Sequence, residues 1–126
     1  MSPLVLIVDD NDTNSYLLAF FVGRLGLRHH TVSSGAAALA AAAAERPDLV
    51  LLDLHMPVMD GYETAARLRA TPGMESVPIV AVTANISAST RGRIERSGFS
   101  GCILKPVDTD ALPAEIQRHI TIPPPP

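Results

Sequence analysis

Four stretches of the chain are continuously apolar, and each stops at a polar residue of definite chemistry. Leu4–Val8 runs into Asp9-Asp10, residues 49–52 into Asp53, residues 79–82 into Thr83, and residues 102–104 into Lys105. Short continuous apolar runs, rather than alternating ones, mark strands buried on both faces of a parallel sheet. Residues 28–32 are more polar and fit an edge strand. Between the strands the period changes. Leu17, Leu18, Phe21, Val22 and Leu25 recur at helical spacing after the helix-initiating Asp10-Asn11-Asp12-Thr13, and Gly26 closes that helix. Residues 36–44 are nearly all alanine, the best helix former, behind a Ser33-Ser34-Gly35 cap; Pro47 follows their end. Further helices are expected at about 62–70, capped by Asp60, at 87–97 up to Gly98, and at 108–119.

The alternation βαβαβαβαβα predicts an α/β fold: a doubly wound, five-stranded parallel sheet with helices on both faces. In the flavodoxin-like order 2-1-3-4-5, the switch point falls between the first and third strands, and ligands bind outside the carboxyl ends there. That order brings Asp9 and Asp10 beside Asp53. Thr83 and Lys105 end the next two strands.

Composition narrows the setting. At 126 residues and 47% hydrophobic, the chain is long enough for one domain with a substantial core. The domain is expected over residues 1–120. Residues 121–126, ending in four prolines, read as a polyproline II tail or the start of a linker. No apolar run reaches membrane-spanning length, and no signal-peptide core follows Met1. A net charge of −3 and scattered basic residues argue against direct nucleic-acid binding. The single cysteine, Cys102, cannot form an internal disulfide, which fits a cytoplasmic protein. His29 and His30 are adjacent and point to opposite faces of a strand, so they do not form a metal pair.

The strand ends then decide the chemistry. Taken singly, Asp9 or Asp10 could cap a helix, Thr83 could sit in a turn, and Lys105 could be a solvated charge. Together they place three carboxylates, a hydroxyl and an ammonium around one crevice. The carboxylates repel one another unless a cation intervenes, and an oxygen-only set suits Mg²⁺. No Cys/His set has zinc-ligand spacing. An aspartate beside such a cation and a lysine can serve as nucleophile toward phosphorus, giving an acyl phosphate.

Over residues 3–120 the chain resembles the receiver domains of two-component response regulators. The residues that carry the likeness are Val8-Asp9-Asp10-Asn11, Asp53 with Met56-Pro57 and Met59-Asp60-Gly61, Thr83-Ala84, and Lys105-Pro106. The resemblance implies a phosphoacceptor at Asp53, taking its phosphoryl group from a histidine kinase or histidine phosphotransfer protein. It implies Mg²⁺ held by Asp9, Asp10, Asp53 and the backbone carbonyl of His55. Thr83, Ala84 and Lys105 would bind the phosphoryl group, with a cis bond between Lys105 and Pro106. The side chains of His55 and Asn85 stand where acyl-phosphate lifetime is tuned. Such a domain catalyses only its own phosphorylation and dephosphorylation, as a monomer or weak dimer. It switches a face here made of about residues 87–97, 101–104 and 108–119.

One position departs from the family pattern. Cys102 stands where the family usually has Tyr or Phe. Phe99 is three residues away, an odd offset that on a strand faces the other side, so the aromatic part of the switch is expected to be absent or rebuilt. Two other functions compete. Asp10-Asn11-Asp12 superficially meets the Asp-x-Asp pattern of haloacid dehalogenase-type phosphohydrolases, but Asn14 stands in place of the usual Thr or Val, and there is no room for a cap domain. A pseudo-receiver that binds partners without phosphorylation is the other, and the intact acidic set opposes it. The chain reads as a stand-alone phosphorelay protein or the receiver part of a hybrid kinase. Its first helix, near Asn14, Ser15 and Leu18, is the expected kinase-docking element.

Overall fold

A computed structural model describes residues 2–123; the prolines at 124–126, part of the expected tail, lie outside the described residues. The elements alternate as β1 (Leu4–Val8), α1 (Asp12–Arg24), β2 (Arg28–Val32), α2 (Gly35–Ala44), β3 (Leu49–Asp53), α3 (Gly61–Arg69), β4 (Ile79–Thr83), α4 (Ala88–Arg96), β5 (Gly101–Leu104) and α5 (Leu112–Gln117). All strand pairs are parallel, in the order β2-β1-β3-β4-β5. The expected fold is the observed one.

Every residue of β1, β3 and β4 is buried, as expected from their apolar runs; the fourth run, β5, is an edge strand, only partly buried and with Leu104 exposed. Alternate strand residues serve opposite layers. Leu6, Val8, Val50 and Leu52 meet Ala38 and Ala42 of α2 and Ala65 and Leu68 of α3. Val5, Ile7, Leu49 and Leu51 meet Leu18 and Val22 of α1 and Leu112 and Ile116 of α5. The alanines of α2 let that helix lie close to the sheet. β2 is the polar edge, with His29 and His30 both exposed.

Local side-chain bonds start four of the five helices. Asn11, Ser34, Asp60 and Ser87 each accept a hydrogen bond from the amide three residues on. The cap of α1 is Asn11, so the acids of the β1 end remain available for other work. Helix ends fall within two residues of expectation except at the start of α5. α5 starts at Leu112 instead of residue 108, because Asp108 folds the approach into a turn, its Oδ1 accepting from the Asp110 amide at 3.0 Å. Ile120 and Ile122 pack against the α1–α5 layer. Arg69, at the end of α3, binds the carbonyls of Met74, Val77 and Gly98 and fastens together the loops that lead into β4 and β5.

Candidate functional site

The site forms where β1, β3, β4 and β5 end together. Val8 pairs with Leu52, Asp53 lies opposite Val82, and Thr83 opposite Leu104. Asp9 and Asp53 are buried, with 2% and 3% exposure, while Asp10 is exposed at the rim. One carboxylate oxygen from each of the three lies within 4.8 Å of the others. Lys105 Nζ stands 3.3 Å from Asp53 Oδ1 and 3.4 Å from Asp9 Oδ2, one ammonium against two buried acids. The Lys105 amide donates to the Thr83 carbonyl at 2.7 Å, which ties its backbone to the end of β4. The Lys105–Pro106 bond is cis.

The remaining expected residues differ in how close they come. The His55 amide donates to Asp53 Oδ1 at 3.1 Å, fixing that carboxylate, while the imidazole is exposed. Thr83 is fully buried, and its hydroxyl donates to the Asn85 carbonyl at 3.3 Å while accepting from the Asn85 amide at 3.2 Å. Ala84 and Asn85 are exposed, and Asn85 Oδ1 accepts from the Ser87 amide, serving its own loop. Cys102 lies outside the carboxylate group. It packs on Leu54, Ala81 and Ile94 together with Tyr62 and Phe99. Phe99 therefore shares a cluster with Cys102 instead of facing away from it. Alternation does not govern it, because β5 begins at Gly101.

Electrostatics mark the crevice as unfinished without a cation. Burial pushes the Asp9 carboxyl above the usual carboxylate range, and the Asp53 charge pushes the same way; the Asn11 amide and Lys105 pull back. Asp9 Oδ1 accepts from the Asn11 amide at 2.9 Å, but buried Oδ2 has no hydrogen-bond donor. A buried anionic oxygen with no hydrogen bond, beside two more carboxylates and facing one shared ammonium at 3.4 Å, suits a hard divalent cation. The residues present fit magnesium.

The raised pKa of Asp9 has a consequence for stability. Folded Asp9 holds its proton more readily than unfolded Asp9 does. Its stabilising contribution is complete below the ordinary value of 3.8 and is lost as pH rises through the raised folded value. At neutral pH, ionised Asp9 is a cost to the metal-free fold. Asp9→Asn is expected to raise the urea midpoint at pH 7 in chelator, with the gain shrinking toward pH 4. Urea titrations of both proteins at the two pH values check this.

A cleft beside Lys105 was not foreseen. Asn14, Leu17 and Phe21 of α1 face Pro106, Val107 and Thr109 across it. Leu18, expected at a docking surface, has 3% exposure and belongs to the core; Tyr16, Leu17 and Phe20 are the exposed apolar residues of α1. The helical period could have separated these faces, since Leu18 and Val22 lie four apart.

Residues 5–117 match the model of the response regulator receiver domain. The chain belongs to that family. It is 41% identical over 109 residues to the sensor histidine kinase RcsC of Salmonella typhi, a match covering 86% of this chain and 11% of that kinase. The chain thus spans about a tenth of the length of that relative. Among solved structures, CheY4 of Vibrio cholerae superposes with a TM-score of 0.92 at 28% identity, covering 95% of this chain and all of that one. The receiver domain of the Pseudomonas aeruginosa sensor histidine kinase PA1611 has a magnesium ion coordinated in its active-site cleft. It superposes at 0.86 with 31% identity, covering 94% of this chain and 98% of that one. A receiver domain of this kind is a signalling module of two-component systems, and the phosphohydrolase alternative is not favoured. No helix among the described residues is long and apolar enough to cross a membrane.

Proposed function

We propose that this receiver domain accepts a phosphoryl group on Asp53 from a phosphohistidine on a histidine kinase or phosphotransfer protein. The observation that carries the reading is the pairing of buried Asp53 and Asp9 with one lysine, with Asp10 at the rim. His55 donates its amide to Asp53 Oδ1 and so holds the carboxylate in one orientation. Asp53 attacks phosphorus as the bond to the donor nitrogen breaks, and an acyl phosphate results. Lys105, within ion-pair distance of the reacting carboxylate, meets charge on the transferred group. Thr83 hydrogen-bonds a phosphoryl oxygen by giving up Asn85, and the Ala84 amide offers a second donor.

Asp9, Asp10, Asp53 and the His55 carbonyl would hold Mg²⁺, which when bound neutralises the carboxylates and polarises the phosphoryl oxygens. The His55 and Asn85 side chains, exposed at the rim, set the lifetime of the acyl phosphate. The chemistry of the chain is limited to its own phosphorylation and dephosphorylation. The donor docks along the cleft beside α1, on Asn14 and Leu17 rather than Leu18.

Incubation with radiolabelled acetyl phosphate, with and without Mg²⁺, followed by mapping of the labelled residue, tests the reading. Mg²⁺-dependent label on Asp53 is the expected result. Label on Asp10 would point to a hydrolase, and no label to a binding module that works without phosphorylation.

A further inference from the structure

α4 is the least embedded helix of the fold, with Ile94 its single buried residue. Two attachments hold the rest of it. The first is a run of local hydrogen bonds from the end of β4. The Thr83 hydroxyl engages the Asn85 backbone, Asn85 Oδ1 accepts from the Ser87 amide at 2.9 Å, and Ser87 Oγ caps α4 by accepting from the Thr90 amide at 3.3 Å. The second is an aromatic stack. Arg93 Cζ lies 3.7 Å from the centroid of the Tyr62 ring, and that ring meets Phe99 edge-on at 6.0 Å and 89°.

Both attachments lead back to the site. Tyr62 directly follows Gly61, whose amide donates at 3.1 Å to the carbonyl of Leu54, the residue after Asp53. Leu54 also packs in the cluster that holds Ile94, Tyr62, Phe99 and Cys102. Small Cys102 leaves the ring positions of that cluster to Tyr62 and Phe99.

We propose that the Arg93–Tyr62 stack is a brake on α4 that sets how readily the domain takes up its phosphoryl group. The inference rests on the reading of Asp53 as phosphoacceptor. When Thr83 turns to a phosphoryl oxygen it releases Asn85, and the N-terminal attachment of α4 loosens. The stack still ties α4 to α3, so motion of α4 must break or strain it. An interaction stronger in one conformer than in the other biases the equilibrium by that difference, and the ligand's affinity follows. Arg93 is exposed, so the stack can be removed without opening the core.

The test is the dissociation constant for beryllofluoride with Mg²⁺, a mimic of the bound phosphoryl group, followed by amide chemical shifts of the full chain. Arg93→Gln and Tyr62→Leu are each expected to bind about three- to tenfold more tightly than wild type, the range set by a partly exposed cation–π contact. The double variant should gain no more than either single one, because both remove the same stack. Unchanged or weaker binding by Arg93→Gln, with only a lower melting temperature, would make the stack merely structural and overturn the brake. Binding by wild type alongside that result leaves the Asp53 reading intact. No binding by wild type would overturn the Asp53 reading and the brake with it.

Discussion

Asp53→Asn is expected to lower phosphoryl incorporation from acetyl phosphate to background, and at the same time to make the metal-free fold harder to unfold. The first effect follows from the loss of the attacking carboxylate, since the amide oxygen of asparagine is no nucleophile toward phosphorus at neutral pH. The second follows from charge. Two buried acids, with carboxylate oxygens within 4.8 Å, share one ammonium. Removing one leaves Lys105 paired with Asp9 and ends the repulsion, while the asparagine Oδ1 can still accept from the His55 amide. At such a separation, between water-like and surface-like screening, the repulsion relieved is about 1–2 kcal/mol; the lost attraction to Lys105 at 3.3 Å offsets it, and release from the cost of burying the Asp53 charge sets the sign. Denaturant titration in chelator measures it, and saturating Mg²⁺ should erase or reverse it, because the variant offers the cation one carboxylate fewer. Label persisting on Asp53→Asn at the wild-type level would remove Asp53 from the reaction. A variant no more stable than wild type would mean that the Lys105 ammonium already compensates both buried acids.

The opposite signs of those two effects explain why the site could be read from sequence. A residue kept at a cost to folding stands out against its surroundings, and here the contrast is between apolar runs and the charges that end them. Strand order and helix placement were legible for the same reason, because β1, β3 and β4 carry their burial in their composition. Features that depend on particular interatomic approaches were not legible. Asn11, not Asp10, caps α1, a choice between adjacent residues of equal propensity. The cleft beside Lys105 arises from where the β5–α5 segment runs, and the late start of α5 from a local Asp108 turn. Phe99 shares a cluster with Cys102 because it lies outside β5, which begins at Gly101, so strand alternation does not set its direction.

Gly61 belongs to that second group, and Gly61→Ala should be among the most damaging single-methyl changes in the chain. In sequence it looks like half of an Asp-Gly turn before α3. In the structure its position is one of close approach. A Cβ there would lie 2.5 Å from the Asp53 carbonyl oxygen and 2.6 Å from Leu54 Cα. Both neighbours are backbone at the end of β3, held by the Leu54 amide's bond to Val82 and the Leu54 carbonyl's bond to Gly61. Neither can yield without moving Asp53 or lifting the start of α3. Overpacking of this kind costs about 3 kcal/mol, and for a domain of this size that is a fall in melting temperature of roughly 10 °C. The methyl should also slow phosphorylation at temperatures where the variant is fully folded, since it displaces the carbonyl of the phosphoacceptor itself. Gly92→Ala is the control. The closest atom its Cβ would meet is Arg96 Nη1, the far end of a flexible side chain, at 2.9 Å. Inside an exposed helix that change should stabilise by about 0.5–1 kcal/mol. Thermal unfolding of the two variants gives opposite signs if space at the β3 end, rather than glycine content, is what the fold requires. Equal and small shifts would show that α3 tolerates displacement from Asp53.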